Sequence, residues 1–230
     1  MTEERAEYIN KHILGQYIAG SNAIHRFRSW EYCYRYFQWL KIHPASFEEV
    51  ADVACLHLGF YLASWGMYRG SSFLLRKSFQ IHKRPIRELL KRKYDALWQV
   101  DIGTLSKPKI IKTIFELAKA LRKLYPKEIT DTLLTKILLG TVGCTPAYDR
   151  LFKLGCKKRK VRPFSNFNER SLKAFIQFFQ VNAEVFTSIN NSIKYKSGIF
   201  YPPMKLIDMF FWSVGSNQNY YWIKRVLRLL

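Results

Sequence analysis

Lys136 and Asp149 stand out for what their surroundings would do to them. Lys136 lies in the run Thr135-Lys136-Ile137-Leu138-Leu139, an otherwise apolar stretch of an expected helix. Taking an ammonium out of water is costly unless it is paired or used, so a lysine there calls for a partner or a task. Asp149, thirteen residues later after Pro146-Ala147-Tyr148, heads an expected short helix over 149–154. The helix dipole keeps a carboxylate ionised at that position. A desolvated lysine can serve as a Schiff-base nucleophile, and a nearby carboxylate can stabilise cationic intermediates or carry a proton. The same residues also admit a structural reading, in which the lysine snorkels and the aspartate caps.

A second chemistry is written more loosely. The run from Arg76 to His82 resembles the loose R-x(4–6)-H pattern of dimeric helical toxin and defence ribonucleases, a resemblance that implies a ribonuclease in which Arg76 and His82 act on the RNA phosphate. Six positions apart on a regular helix they align poorly. Other signatures are missing: the chain has no GxxxxGK[ST], HExxH, GxSxG or paired CxxC. The cysteines at 33, 55, 144 and 156 and the histidines at 12, 25, 43, 57 and 82 show no zinc spacing. No metal and no cofactor is expected, and the thiols read as small buried side chains of a reducing compartment.

Charge supplies the partner. The 230 residues hold 38 Lys and Arg against 17 acids, a formal +21, which favours phosphate-rich partners and steep salt dependence. Nucleic acid is expected, DNA favoured, with a membrane surface as the competing polyanion. The excess is clustered. Between Arg76 and Lys93 eight cations accompany one acid, Glu88, and Lys83, Arg84, Arg87 and Lys91 fall at helical spacing. A second cluster is Lys157, Lys158, Arg159, Lys160 and Arg162, read as an exposed loop; a third is Lys224, Arg225 and Arg228. The stretch Trp65-Gly66-Met67-Tyr68-Arg69-Gly70-Ser71-Ser72 reads as a bend whose backbone N–H groups can face a ligand, which adds Arg69 and Ser71.

These groups need a scaffold, and the periodicity predicts an all-α one: a single multi-helix domain, with 1–100 and 101–230 as candidate lobes around a basic cleft. Helices are expected over 3–19, 23–41, 47–64, 73–98 (interrupted near Pro85), 109–124, 130–139, 149–154, 168–189, 204–214 and 219–229. Asn22 or Ser21 is a candidate cap, and Ser46-Phe47-Glu48-Glu49 reads as a capping box. The 47–64 helix, apolar nearly all round, is the expected central one. Aromatic residues at spacings of three and four over 23–41 suit core packing or a stacking platform for single strands. The acidic N-terminus and the lack of a long apolar run predict a cytoplasmic protein with no membrane span.

Two resemblances add to this. Thr135-Lys136-x-Leu138, Pro146-x-Tyr148-Asp149 and Met204-Lys205-Leu206-Ile207-Asp208-Met209-Phe210-Phe211-Trp212 together resemble the 8-oxoguanine glycosylase-like branch of the helix-hairpin-helix DNA glycosylases. That resemblance implies Lys136 as the nucleophile and Asp149 as its assistant on a flipped-out nucleotide. The chain departs from that family in having no glycine between Tyr125 and Thr135, where its hairpin stands. The segments 28–34, 61–72 and 143–150 are similar to a family of uncharacterised bacterial proteins. This likeness implies that Trp30, Trp65, Arg69, Ser71 and Asp149 line one site.

Overall fold

The computed structural model describes residues 3–43, 47–162 and 166–216, and everything regular in them is helical. Several helices follow directly from local sequence. The first, α1 (Glu3–Ala19), carries Glu3 and Glu4 in its first turn, where the dipole favours them, and buries Ile9, His12, Ile13 and Tyr17. Pro108 opens α6 (Pro108–Leu124), whose buried Ile110, Ile114, Leu117, Ala118 and Leu121 recur on one face. Thr130 caps α7 (Asp131–Thr141) and Asp149 caps α8 (Arg150–Lys158), each accepting backbone N–H groups of the first turn.

Elsewhere the chain departs from its periodicity. The second helix, α2 (Arg28–Ile42), starts late: Asn22 accepts the Ile24 N–H in a local turn, and tight turns run on to Arg28. The expected helix over 73–98 is four short pieces. They are 3₁₀ turns at Phe73–Arg76, Phe79–His82 and Arg92–Leu97, with α4 (Lys83–Leu89) between them. A short α5 (Ile102–Leu105) follows. The expected 168–189 helix breaks at Asn182, whose side chain donates back to the Phe178 carbonyl, dividing α9 (Glu169–Val181) from α10 (Ala183–Ser197). Neither glycine nor proline marks that break. Part of the expected 190–203 loop is therefore helix, ended by Gly198 at φ +77°.

The central helix is not the expected one. In α3 (Phe47–Ser64), Val53, Leu56 and Phe60 stay exposed. Ser46, its expected capping residue, lies outside the described residues, as does the expected 219–229 helix. The buried position belongs to α11 (Pro203–Ser216), enclosed from Met204 through Gly215. It packs most extensively on α8, then on α1. One contiguous core draws on both halves of the chain, from Ile9 to Val214. All four cysteines are buried and free. No helix among the described residues is long and apolar enough to cross a membrane.

Two histidines are sealed inside. His82 is fully buried, with Nε2 2.7 Å from Tyr68 Oη and Nδ1 2.8 Å from Tyr125 Oη. His12 lies against Ser213, its Nδ1 2.9 Å from the hydroxyl. Burial holds both pKa values down, to about 4, helped at His12 by Arg159 and Lys11. A depressed histidine takes protons more readily when unfolded, so stability is complete above the ordinary 6.5 and lost as pH falls toward 4. At about 1.4 kcal/mol per unit, each contributes on the order of 3 kcal/mol across that window. A urea midpoint that stays level from neutral pH down to about 4.5, where ordinary carboxylates begin to titrate, would exclude this.

Candidate nucleic-acid interface

The bend after α3 is built by its glycines. Gly66 and Gly70 take φ of +77° and +60°, the left-handed region that costs glycine nothing. Ser72 then donates to the Met67 carbonyl at 2.6 Å and accepts the Leu74 N–H, which starts the next 3₁₀ turn. The folded segment forms one wall of an open basin of about 990 Å³. The facing wall is the α6–α7 connection and the start of α7, from Lys127 to Leu133.

Arg69, Arg76, Lys77 and Lys127 line the basin, against a single acid, Glu128. None of the four cations pairs with a carboxylate among the described residues. Ser71 lines it too, and the consecutive amides of Arg69, Gly70 and Ser71 donate to no backbone carbonyl among those residues. Of the nominated residues, Arg69, Ser71 and Arg76 come together here. Sequence reasoning missed Lys127 and did not place Lys77. Lys127 follows Pro126 in what reads only as a helix stop.

The remaining cations divide differently. Lys83 and Arg87 both pair with Glu48, which α3 brings across from outside the cluster, and Lys91 and Lys93 pair with Glu88. Their cationic partners hold both carboxyls low, Glu88 against the opposing pull of its partial burial. Only Arg84 of that nominated group stands exposed with no described ion-pair partner. Lys157 and Lys158 are the last turn of α8 and not a loop, with the Lys158 ammonium 3.2 Å from the Val214 carbonyl. The Arg159 guanidinium lies 4.7 Å from the Tyr8 ring centre, while Lys160 and Arg162 are exposed. Lys224, Arg225 and Arg228 lie outside the described residues.

Lys136 and Asp149 do meet. The Lys136 Nζ is 3.0 Å from Asp149 Oδ2, and its side chain is only 3% exposed. The other carboxylate oxygen accepts the Leu151 and Phe152 N–H groups, both at 3.0 Å. Lys136 does not line the basin. It stands one layer behind, 5.1 Å from the centre of the Trp65 ring, and the next residue, Gly66, is part of the basin wall.

A second buried pair lies beside the first and was not nominated. The Lys205 ammonium is 3.4 Å from Asp208 Oδ2, and Asp208 Oδ1 accepts the Ala147 N–H at 3.0 Å. Burial pulls Lys205 down and pushes Asp208 up, each opposed by the charge of its partner. The signal was present: a Lys and an Asp at i, i+3 in an apolar run meet the criterion that singled out Lys136. Lys205 Nζ lies 4.7 Å from the Trp30 ring and 5.7 Å from Trp65. The slot there measures about 20 Å³, room for a single water.

The residues implied to share one site thus spread over adjoining layers. Arg69 and Ser71 face the basin, Trp65 backs it, Trp30 covers Lys205, and Asp149 holds Lys136. His82, required by the ribonuclease reading, is withdrawn from solvent with both nitrogens engaged by tyrosines. No group of three or more metal-ligating side chains occurs among the described residues. The chain matches no family model, no curated protein and no solved structure.

Proposed function

We propose that the protein binds nucleic acid, with DNA favoured, through the basin and without a chemical step. One observation carries the reading: four cations converge on one open concavity that holds a single carboxylate, Glu128, and none of the four is ion-paired among the described residues. Cations left unpaired in the folded state are available for phosphates, each contact releasing counterions and adding to the salt dependence. The net charge alone would attract any polyanion, so the test must separate place from total. In fluorescence anisotropy with labelled DNA, Arg69→Glu with Lys127→Glu should weaken binding at least about tenfold and flatten the salt dependence. Lys112→Glu with Lys119→Glu, at exposed positions of α6 where the Lys112 side chain is 79% exposed, makes the same change of net charge and should weaken binding far less. Equal losses from both would mean that overall charge, and not the basin, does the binding.

A second reading has its own support. The 3.0 Å contact of Lys136 with Asp149 is the arrangement a glycosylase or abasic-site lyase would use. Asp149 would take the ammonium proton, and the freed amine would attack the deoxyribose C1′ of a flipped-out nucleotide. The glycosidic bond breaks, the base leaves with the proton held by Asp149, and opening of the sugar ring gives the Schiff base on Lys136. Trp65 and Gly66 would have to move aside to admit the sugar. Borohydride reduction in the presence of duplexes holding damaged bases or abasic sites should then trap an adduct that Lys136→Gln abolishes. Absence of any trapped adduct across such a panel removes this reading and leaves the binding one intact.

A further inference from the structure

The basin has a cationic rim and an apolar floor. Arg69, Arg76, Lys77 and Lys127 are exposed around it, while Met67 and Phe73 are half-buried and Leu133 is buried. Phosphates account for the rim and leave the floor unexplained. A duplex shows a protein its phosphates, its sugars and the edges of its bases in the grooves, and its base faces are stacked out of reach. Duplex readers commonly push a convex helix or ribbon into a groove, and a concave basin offers no such element. An apolar floor gains from a partner only if that partner has apolar faces to bury, which unpaired bases have.

Phe73 is the aromatic ring of that lining, and its backing is fixed. It packs edge-on against Tyr125, with ring centres 6.0 Å apart and planes at 68°. The Tyr125 hydroxyl is held by His82 Nδ1 at 2.8 Å, and His82 Nε2 is held by the Tyr68 hydroxyl at 2.7 Å. Tyr68 belongs to the same bend that forms the basin wall. A ring anchored through such a relay is ordered before a ligand arrives, which lowers the entropy cost of stacking a base on it. A volume of about 990 Å³ lies at the upper end of what encloses a drug-sized ligand, enough for a base together with its sugar and phosphate.

Resting on the nucleic-acid reading above, we infer that the basin takes an unpaired stretch of DNA, with phosphates on the four rim cations and a base against Phe73. Binding is then sequence-tolerant, because every base has a face to stack. With four phosphates engaged, the logarithmic salt slope is about −3, from roughly −0.7 per contact on a single strand.

The test is fluorescence anisotropy of the full chain with a labelled oligothymidine and with the same strand paired to oligoadenine, over a range of salt. The single strand should bind about tenfold more tightly than the duplex. Phe73→Leu keeps apolar volume against Tyr125 and removes the stacking face, so it should weaken single-strand binding by about tenfold and leave the salt slope unchanged. Circular dichroism confirms that this variant is folded. A duplex bound as tightly as the single strand overturns the inference while the nucleic-acid reading stands; so does a folded Phe73→Leu protein that binds like wild type. If neither form binds in a salt-dependent way, the nucleic-acid reading falls and this inference with it.

Discussion

Gly155→Ala is expected to be among the most damaging single-methyl additions in the chain. A Cβ at Gly155 would lie 1.8 Å from the Phe211 carbonyl oxygen, and one at Gly215 would lie 1.9 Å from that of Leu151. Each helix of the α8–α11 pair thus receives the other's backbone at a glycine. The obstacle in both cases is main chain inside a helix, which cannot swing away as a side chain could. The two helices must separate by more than an ångström, and α11 is buried all round, so its other contacts shift too. Overpacking typically costs about 1–3 kcal/mol, and a backbone clash at the most extensive helix contact belongs at the top of that range or beyond. Gly59→Ala in α3 is the matched control, because its Cβ would meet nothing nearer than 3.6 Å. There the helical preference for alanine predicts a gain of up to about 1 kcal/mol. Urea midpoints that fall equally for both variants would show that the crossing is looser than its geometry.

Gly155 also shows why part of this fold could not be read from the sequence. A glycine after residue 154 reads as a helix end, since glycine weakens helices and favours their C-termini. Here α8 continues through it to Lys158, because the missing side chain is what admits α11. Elements governed by their own residues were legible: the helices over 3–19 and 109–124, and Asp149 at the head of α8. Those decided by a distant partner were not. Glu48 neutralises Lys83 and Arg87 from another helix, so a cluster that is basic in sequence is mixed in space. The candidate site divides along the same line. Arg69 and Ser71 lie in one bend and Arg76 on the 3₁₀ turn that follows it, so sequence order already places them together, while Lys127 lines the basin from more than fifty residues away. Lys136 and Asp149 were paired correctly through the cost of burying a lone ammonium; Lys205 and Asp208, which satisfy the same argument, passed unnoticed inside a longer motif.

Asp208→Ala should cost about 3–5 kcal/mol, the usual penalty for leaving a buried charge without its counterion. Two losses combine in it. The Lys205 ammonium loses its carboxylate inside a wall of indole rings, and the Ala147 N–H loses its acceptor. Changing Lys205 to Met as well removes the stranded charge, so the double variant should recover most of the loss and retain a deficit of about 1–3 kcal/mol for the unpaired amide. Lys205→Met alone gives a different signature. The burial that already raises the Asp208 carboxyl then acts without the lysine to oppose it. A carboxyl raised in the folded state binds protons that the unfolded chain has released, so stability falls as pH rises through its folded pKa. The variant should therefore lose stability toward neutral pH relative to wild type, opposite in sign to the acid loss expected from His12 and His82. Urea melts of the four proteins at two pH values close the double-mutant cycle. Strict additivity of the two substitutions would mean that Lys205 and Asp208 do not interact, and the buried cluster behind the basin would then have no electrostatic coupling to explain its place in the core.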